Sequence, residues 1–156
     1  MNVKMLVMDV DGTLTDGHIY IGSEGEMMKA FHVQDGYAIA HILPKKDIVP
    51  VIITGRSSSI VARRAAELKI SRLYQGVADK LYVLKEVAAE LGLSADEIAY
   101  IGDDMNDLDC IAYCGHTACP ADAVPAVQQA VDYVCSRNGG RGAVREFIDQ
   151  IVSEIE

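Results

Sequence analysis

The stretch Asp9-Val10-Asp11-Gly12-Thr13-Leu14-Thr15-Asp16 places three carboxylates directly behind the apolar run Val3 to Met8. Three other stretches hold groups of comparable reactivity: Thr54-Gly55-Arg56, Lys80 after Gly76-Val77-Ala78-Asp79, and Gly102-Asp103-Asp104-Met105-Asn106-Asp107. If Asp9 and Asp103 converge with Asp104 or Asp107, their mutual repulsion raises some of their pKa values unless a cation holds them together. A hard, oxygen-preferring ion such as Mg²⁺ is the natural occupant. Such a site attracts a phosphoryl group, whose transfer requires in-line positioning and neutralised charge. The Thr54 hydroxyl, the Lys80 ammonium and backbone N–H groups near Gly12 and Gly55 suit its oxygens. A carboxylate can attack phosphorus, and a second one two residues along can protonate the leaving alkoxide and later deprotonate water. Asp9 and Asp11 have the separation for that division.

The elements that must position these groups are legible as an alternation. Val3 to Met8, Ile48 to Ile53, Ala99 to Ile101, Thr117 to Cys119 and Tyr133 to Cys135 read as strands. Segments near 36–43, 57–69, 79–92, 105–113, 123–130 and 141–155 carry a helical period. Ser57 or Ser58 can cap one helix, Gly92 can end another, and Ser94-Ala95-Asp96-Glu97 has the form of a capping box. Alternation of this kind predicts an α/β fold, a Rossmann-like doubly wound parallel sheet with helices on both faces. Ligands of such sheets bind at the carboxyl ends of the strands, where all but one of the reactive stretches fall; Lys80 opens a helix. His18 to Ile21, a turn at Gly22-Ser23-Glu24-Gly25 and Glu26 to Phe31 read as a β-hairpin over about 17–31, interrupting the alternation.

Composition narrows the classes. Half of the 156 residues are hydrophobic, enough for the core of one domain spanning 1–156. A formal net charge of -9 argues against general affinity for nucleic acid or an anionic membrane. No run approaches the ~20 apolar residues that span a bilayer, and the apolar start is too short for a signal peptide, so the cytoplasm is the expected location. Cys110, Cys114, Cys119 and Cys135 lack a C-x-x-C pair and read as reduced, buried thiols.

Asp9-Val10-Asp11-Gly12-Thr13, Thr54-Gly55-Arg56, Lys80 and Gly102-Asp103-Asp104-x-x-Asp107 together resemble the four motifs of the haloacid dehalogenase superfamily of phosphatases, in order and spacing. The resemblance implies Asp9 as nucleophile, Asp11 as acid/base with its backbone carbonyl on the metal, and Asp103 as the third protein contact to Mg²⁺. It also implies Thr54 and Lys80 on the phosphoryl oxygens, with Asp104 and Asp107 as supports behind the ligands. A signalling receiver domain uses similar groups, but there the paired acids come first and the phosphorylated Asp later, the reverse of this chain.

Neither the 42 residues between Asp11 and Thr54 nor the 25 between Thr54 and Lys80 hold a cap domain, so the fold is expected to be capless. Asp16-Gly17-x-Ile19-Tyr20, Phe31-His32-Val33-Gln34-Asp35-Gly36-Tyr37, Leu73-Tyr74-Gln75-Gly76 and Gly139-Gly140-Arg141-Gly142-Ala143-Val144-Arg145-Glu146 resemble the 3-deoxy-D-manno-octulosonate 8-phosphate phosphatases. That likeness implies a sugar-phosphate substrate and a homotetramer whose hairpins form an intersubunit barrel. Apolar Ile19, Ile21, Met27 and Phe31 suit the assembly. The Gly139 to Gly142 segment reads either as a flexible cover for a neighbour's site, with Arg141 binding an anionic group, or as an ordinary loop before the last helix. Arg56 and Arg64 are candidates for the sugar carboxylate or hydroxyls, and His32 for a hydroxyl. The related nine-carbon group, acting on 2-keto-3-deoxynononate 9-phosphate, has Glu where Arg56 stands and Lys where Glu67 stands, and this chain has neither. A non-catalytic assembly module of the same fold is the other alternative.

Overall fold

The computed structural model describes residues 1–155. Six parallel strands form one sheet in the order β5 (Arg72–Tyr74), β4 (Val49–Ile53), β1 (Met5–Met8), β6 (Ile98–Ile101), β7 (His116–Cys119) and β8 (Tyr133–Val134). Val7 of β1 pairs with Val51 on one side and Tyr100 on the other, so the first strand lies in the sheet interior. Its four residues are all buried, as a strand covered on both faces requires.

The pleat sends alternate side chains to opposite layers. Leu6 and Met8 join a cluster with Val61, Ala65, Phe147, Ile148 and Ile151. These come from α2 (Ser59–Glu67) and α6 (Ala143–Ile155), beside α1 (Val33–Tyr37) and the π-helical and 3₁₀ turns that extend it to Lys46. Met5 and Val7 instead meet Leu84, Val87, Cys110 and Val127. Those come from α3 (Lys80–Leu91), α4 (Leu108–Tyr113) and α5 (Pro125–Ala130). The sheet is therefore doubly wound, as expected. Among the described residues no helix is long and apolar enough to cross a membrane.

Local signals set the boundaries. Ser58, not Ser57, caps α2, its Oγ accepting from Val61 N. Gly92 ends α3 in the left-handed region, and Ser94 with Glu97 forms the expected capping box. The segment anticipated as one helix over 105–113 divides into a 3₁₀ turn, Met105–Asp107, followed by α4. Asp104 and Asp107 cause the division, since each caps the other's end of that turn. Strand β5 was not anticipated, for its three residues are too short for a period to register. The four cysteines are free and buried; burial pushes the Cys110 thiol up to about 12 and Cys119 up to about 11, so both stay protonated packing groups.

A separate antiparallel pair, β2 (Tyr20–Gly22) and β3 (Gly25–Met28), forms the projecting hairpin. It is tighter than the sequence suggests. Gly22 pairs with Gly25, leaving only Ser23 and Glu24 in the turn, and the second strand stops at Met28 instead of reaching Phe31. Ile21, Met27 and Met28 remain exposed on this ribbon.

Candidate active site

Asp9 follows β1, and the chain then folds back sharply: the N–H groups of Thr13, Leu14 and Thr15 all donate to Val10 O. Thr15 Oγ1 accepts from Gly12 N and Gly17 N, both at 3.2 Å. Gly12 has φ +88, and a side chain there would run into the Asp103 carboxylate, so only glycine admits this approach. Thr54 follows β4, Asp103 lies just beyond β6, and Lys80 opens α3. The sheet thereby gathers Asp9, Asp11, Thr54, Gly55, Arg56, Asp103, Asp104 and Asn106 around an open cleft of about 150 Å³. Asn106 was not singled out from sequence, although it lies inside the Gly102 to Asp107 motif.

Below the cleft is a buried charge cluster. Lys80 Nζ donates to Asp9 Oδ1 at 3.0 Å and to Asp107 Oδ1 at 2.9 Å. Asp107 also accepts from the Tyr100 hydroxyl at 2.5 Å and from the N–H groups of Asp103 and Asp104. The two carboxylates outweigh burial in holding Lys80 above the ordinary lysine range, so it remains an ammonium. Burial raises Asp9, the Asp107 charge raises it further, and Lys80 opposes both. Asp103 is pushed up to about 9 by burial first and then by its Asp9, Asp107 and Asp104 neighbours. The Lys80 ammonium alone does not offset the crowding of these carboxyls, so Asp103 resists ionising beside the others.

The donor chemistry fits a hard divalent ion. Asp9, Asp103 and Asp107 each bring an oxygen within 4.8 Å of the others. Asp107 has both oxygens engaged, one by Lys80 and Tyr100 and the other by two backbone donors, whereas Lys80 holds only Oδ1 of Asp9 and Thr13 only Oδ1 of Asp103. Thr13 Oγ1 donates to Asp103 Oδ1 at 3.3 Å, and Asp104 caps Met105 N, so the loop bearing the acids is held on both sides.

Asp11 has a partner that sequence reasoning missed. Lys29, the first residue after β3, donates to Asp11 Oδ1 at 2.6 Å. Its ammonium also lies 3.1 Å from Glu26 Oε2, and its side chain is 1% exposed. Arg56 is half exposed at the rim, its Nε 3.9 Å from Asp11 Oδ2. No local motif marks Lys29; the signal is only that a lysine follows the apolar end of a hairpin strand.

The remaining candidates lie elsewhere within this chain. Arg64 places its guanidinium 5.6 Å from the Phe31 ring centre and pairs with Glu67 at 3.3 Å. Its surroundings are a small apolar recess with His32, Asp35 and Leu68, not the cleft at Asp9. His32 caps α1, its Nδ1 accepting from Gln34 N at 3.2 Å. Arg141 is exposed, and its charge acts on Asp16. Within this chain the Gly139 to Gly142 segment precedes the last helix and packs inward: Gly139 is buried so closely against Gly12 O that a side chain would have no room. Gly140 N donates to Thr13 O at 3.1 Å. The segment braces its own chain's first loop.

The haloacid dehalogenase-like hydrolase family pattern matches residues 67–148. The 3-deoxy-D-manno-octulosonate 8-phosphate phosphatase KdsC of Yersinia pestis is 44% identical over 97% of this chain and 80% of its own length; that of Shigella flexneri is 43% identical with the same coverage. The crystal structure of the Yersinia pestis phosphatase superposes with a TM-score of 0.94 at 45% identity, over 97% of this chain and 82% of that one. The Moraxella catarrhalis phosphatase, solved with magnesium, phosphate and KDO, gives 0.90 at 39% identity, over 99% of this chain and 94% of that one. The four motif stretches, the six-stranded sheet and these likenesses agree: the chain belongs to the haloacid dehalogenase-like hydrolases and, within them, to the 3-deoxy-D-manno-octulosonate 8-phosphate phosphatase family.

Proposed function

We propose that this protein hydrolyses 3-deoxy-D-manno-octulosonate 8-phosphate to KDO and phosphate in the presence of Mg²⁺, a step in lipopolysaccharide precursor synthesis. The observation that carries this reading is the meeting of Asp9, Asp11, Thr54 and Asp103 in one cleft over a buried Lys80. The relatives named above support the substrate.

In this reading the Asp9 carboxylate attacks phosphorus, and Lys80 restrains its Oδ1 and screens the incoming phosphoryl charge. The Thr54 hydroxyl and the Gly55 backbone bind the phosphoryl oxygens. Asp11 gives a proton to the leaving alkoxide, then takes one from the water that cleaves the aspartyl-phosphate. Asp9, the Asp11 backbone carbonyl and Asp103 would hold Mg²⁺, which supplies charge neutralisation on the phosphoryl oxygens when bound. Asp104 and Asp107 keep the ligand loop and Lys80 in place. Arg56 at the rim is suited to the sugar carboxylate, to which a guanidinium binds bidentately. Arg64, His32 and Arg141 lie outside this chain's own cleft and reach a sugar only if assembly brings them to one.

Steady-state phosphate release from the eight- and nine-carbon esters tests the reading. A higher kcat/KM on the eight-carbon ester is the expected result, because Arg56 and Glu67 stand where the nine-carbon group has Glu and Lys. No release, with Asp9→Asn indistinguishable from the parent, would overturn it. We also propose a cytoplasmic homotetramer built through the exposed hairpin, for which sedimentation at four times the chain mass is expected. Ile21→Glu combined with Met27→Glu should lower that mass.

A further inference from the structure

We propose that Lys29, delivered by the hairpin, is a positioning residue for the acid/base Asp11. The inference rests on the phosphatase reading above and adds to it a residue outside the four motif stretches. Burying an ammonium is costly unless it is paired, and Lys29 is paired on one side with Asp11 and on the other with Glu26. Glu26 is itself anchored: its Oε1 accepts from Ser58 Oγ at 2.5 Å, and its Oε2 lies 3.6 Å from Arg56. The chain of contacts therefore runs from the loop after β4, through the hairpin, to the loop after β1. Met27 and Met28, which lie between Glu26 and Lys29, are exposed, so the two flanking residues are the side chains that this part of the ribbon turns inward.

The geometry distinguishes the two Asp11 oxygens. Oδ1 is taken by Lys29 at 2.6 Å, whereas Oδ2, with Arg56 Nε at 3.9 Å, is the oxygen left to face the reacting group. In the first half-reaction the Asp9–phosphorus bond forms as the ester P–O bond breaks, and the Oδ2 proton passes to the departing alkoxide. In the second, water attacks phosphorus, its proton returns to Oδ2, and Asp9 is released. Lys29 gains and loses nothing; it fixes which oxygen works and where.

The test exploits leaving-group basicity. A sugar alkoxide needs that proton, whereas p-nitrophenolate leaves without it. For Lys29→Met, kcat/KM on the eight-carbon ester should fall about ten- to hundredfold, a share of what acid catalysis provides, and on p-nitrophenyl phosphate by less than about threefold. Lys29→Arg, which keeps a cationic donor, should recover most of the loss, and Lys29→Gln serves if the methionine variant melts below the assay temperature. Equal losses on both esters, loss on neither, or no recovery with arginine would overturn the proposal. If the parent rejects the eight-carbon ester, the substrate reading fails alone, and the same ratio is measured on whichever alkyl phosphate it accepts. A parent that hydrolyses no phosphate ester overturns both.

Discussion

Asp107 fixes Lys80: its Oδ1 lies 2.9 Å from the ammonium, and both side chains are out of solvent. An amide in place of this carboxylate must direct an NH₂ group either at the Lys80 ammonium or at the backbone donors of Asp103 and Asp104. Asp107→Asn should therefore cost about 1–3 kcal/mol, seen as a lower melting temperature. Freed from its anchor, Lys80 shifts, and kcat should fall about a hundredfold. Melting and steady-state kinetics on one preparation check both; unchanged kcat would contradict the anchoring role.

Removing the cation should destabilise the protein. At a hundredfold excess over its dissociation constant, a ligand of the folded state alone adds about 2.7 kcal/mol, so a chelator should lower the melting temperature by several degrees. Asp103, pushed up to about 9, holds a proton in the metal-free fold that the unfolded chain gives up above 3.8. Its contribution is complete below 3.8 and is lost as pH rises toward about 9. Metal-free Asp103→Asn should show a flatter decline over that window and no response to added Mg²⁺. A full Mg²⁺ response in the variant would remove Asp103 from the ligand set.

Glu146 predicts the opposite slope. Burial works to raise it, but donors from Ser136, Tyr133 and Arg137 prevail and hold the carboxyl below its ordinary value of 4.5. The stability it provides is complete above 4.5 and is lost as pH falls through the lower folded value. Glu146→Gln should be less stable at neutral pH and lose less on acidification from pH 4.5, as urea midpoints across that range would show. A parallel acid slope in the two proteins would contradict this assignment.

The cluster at the cleft was legible because each of its members sits within a few residues of a strand end or helix start, and the alternation of elements fixes where those points meet. Asp9, Thr54 and Asp103 required only that the sheet be recognised. Lys29 required more: its place depends on how the ribbon folds back over the cleft, which no local period records. The same gap accounts for the hairpin, whose second strand ends at Met28 as the next residue turns toward Asp11. Arg64 shows the converse case. Its type suited a carboxylate, but the packing gave its guanidinium to Phe31 and Glu67. The glycines at 139 and 140 were legible as special, but their close packing on the first loop depends on three-dimensional neighbours that no local pattern records.

That close packing bears on how the enzyme is made. The loop that begins at Asp9 is among the first segments to leave a ribosome, yet it is held by Gly139 and Gly140. Its strand likewise waits for β6 before it gains its second neighbour. Chains emerge from the amino end and fold as their partners arrive. Through most of its synthesis the nascent polypeptide thus carries its acids on an unbraced loop. The brace on that loop forms only after Gly139 and Gly140 have joined the fold.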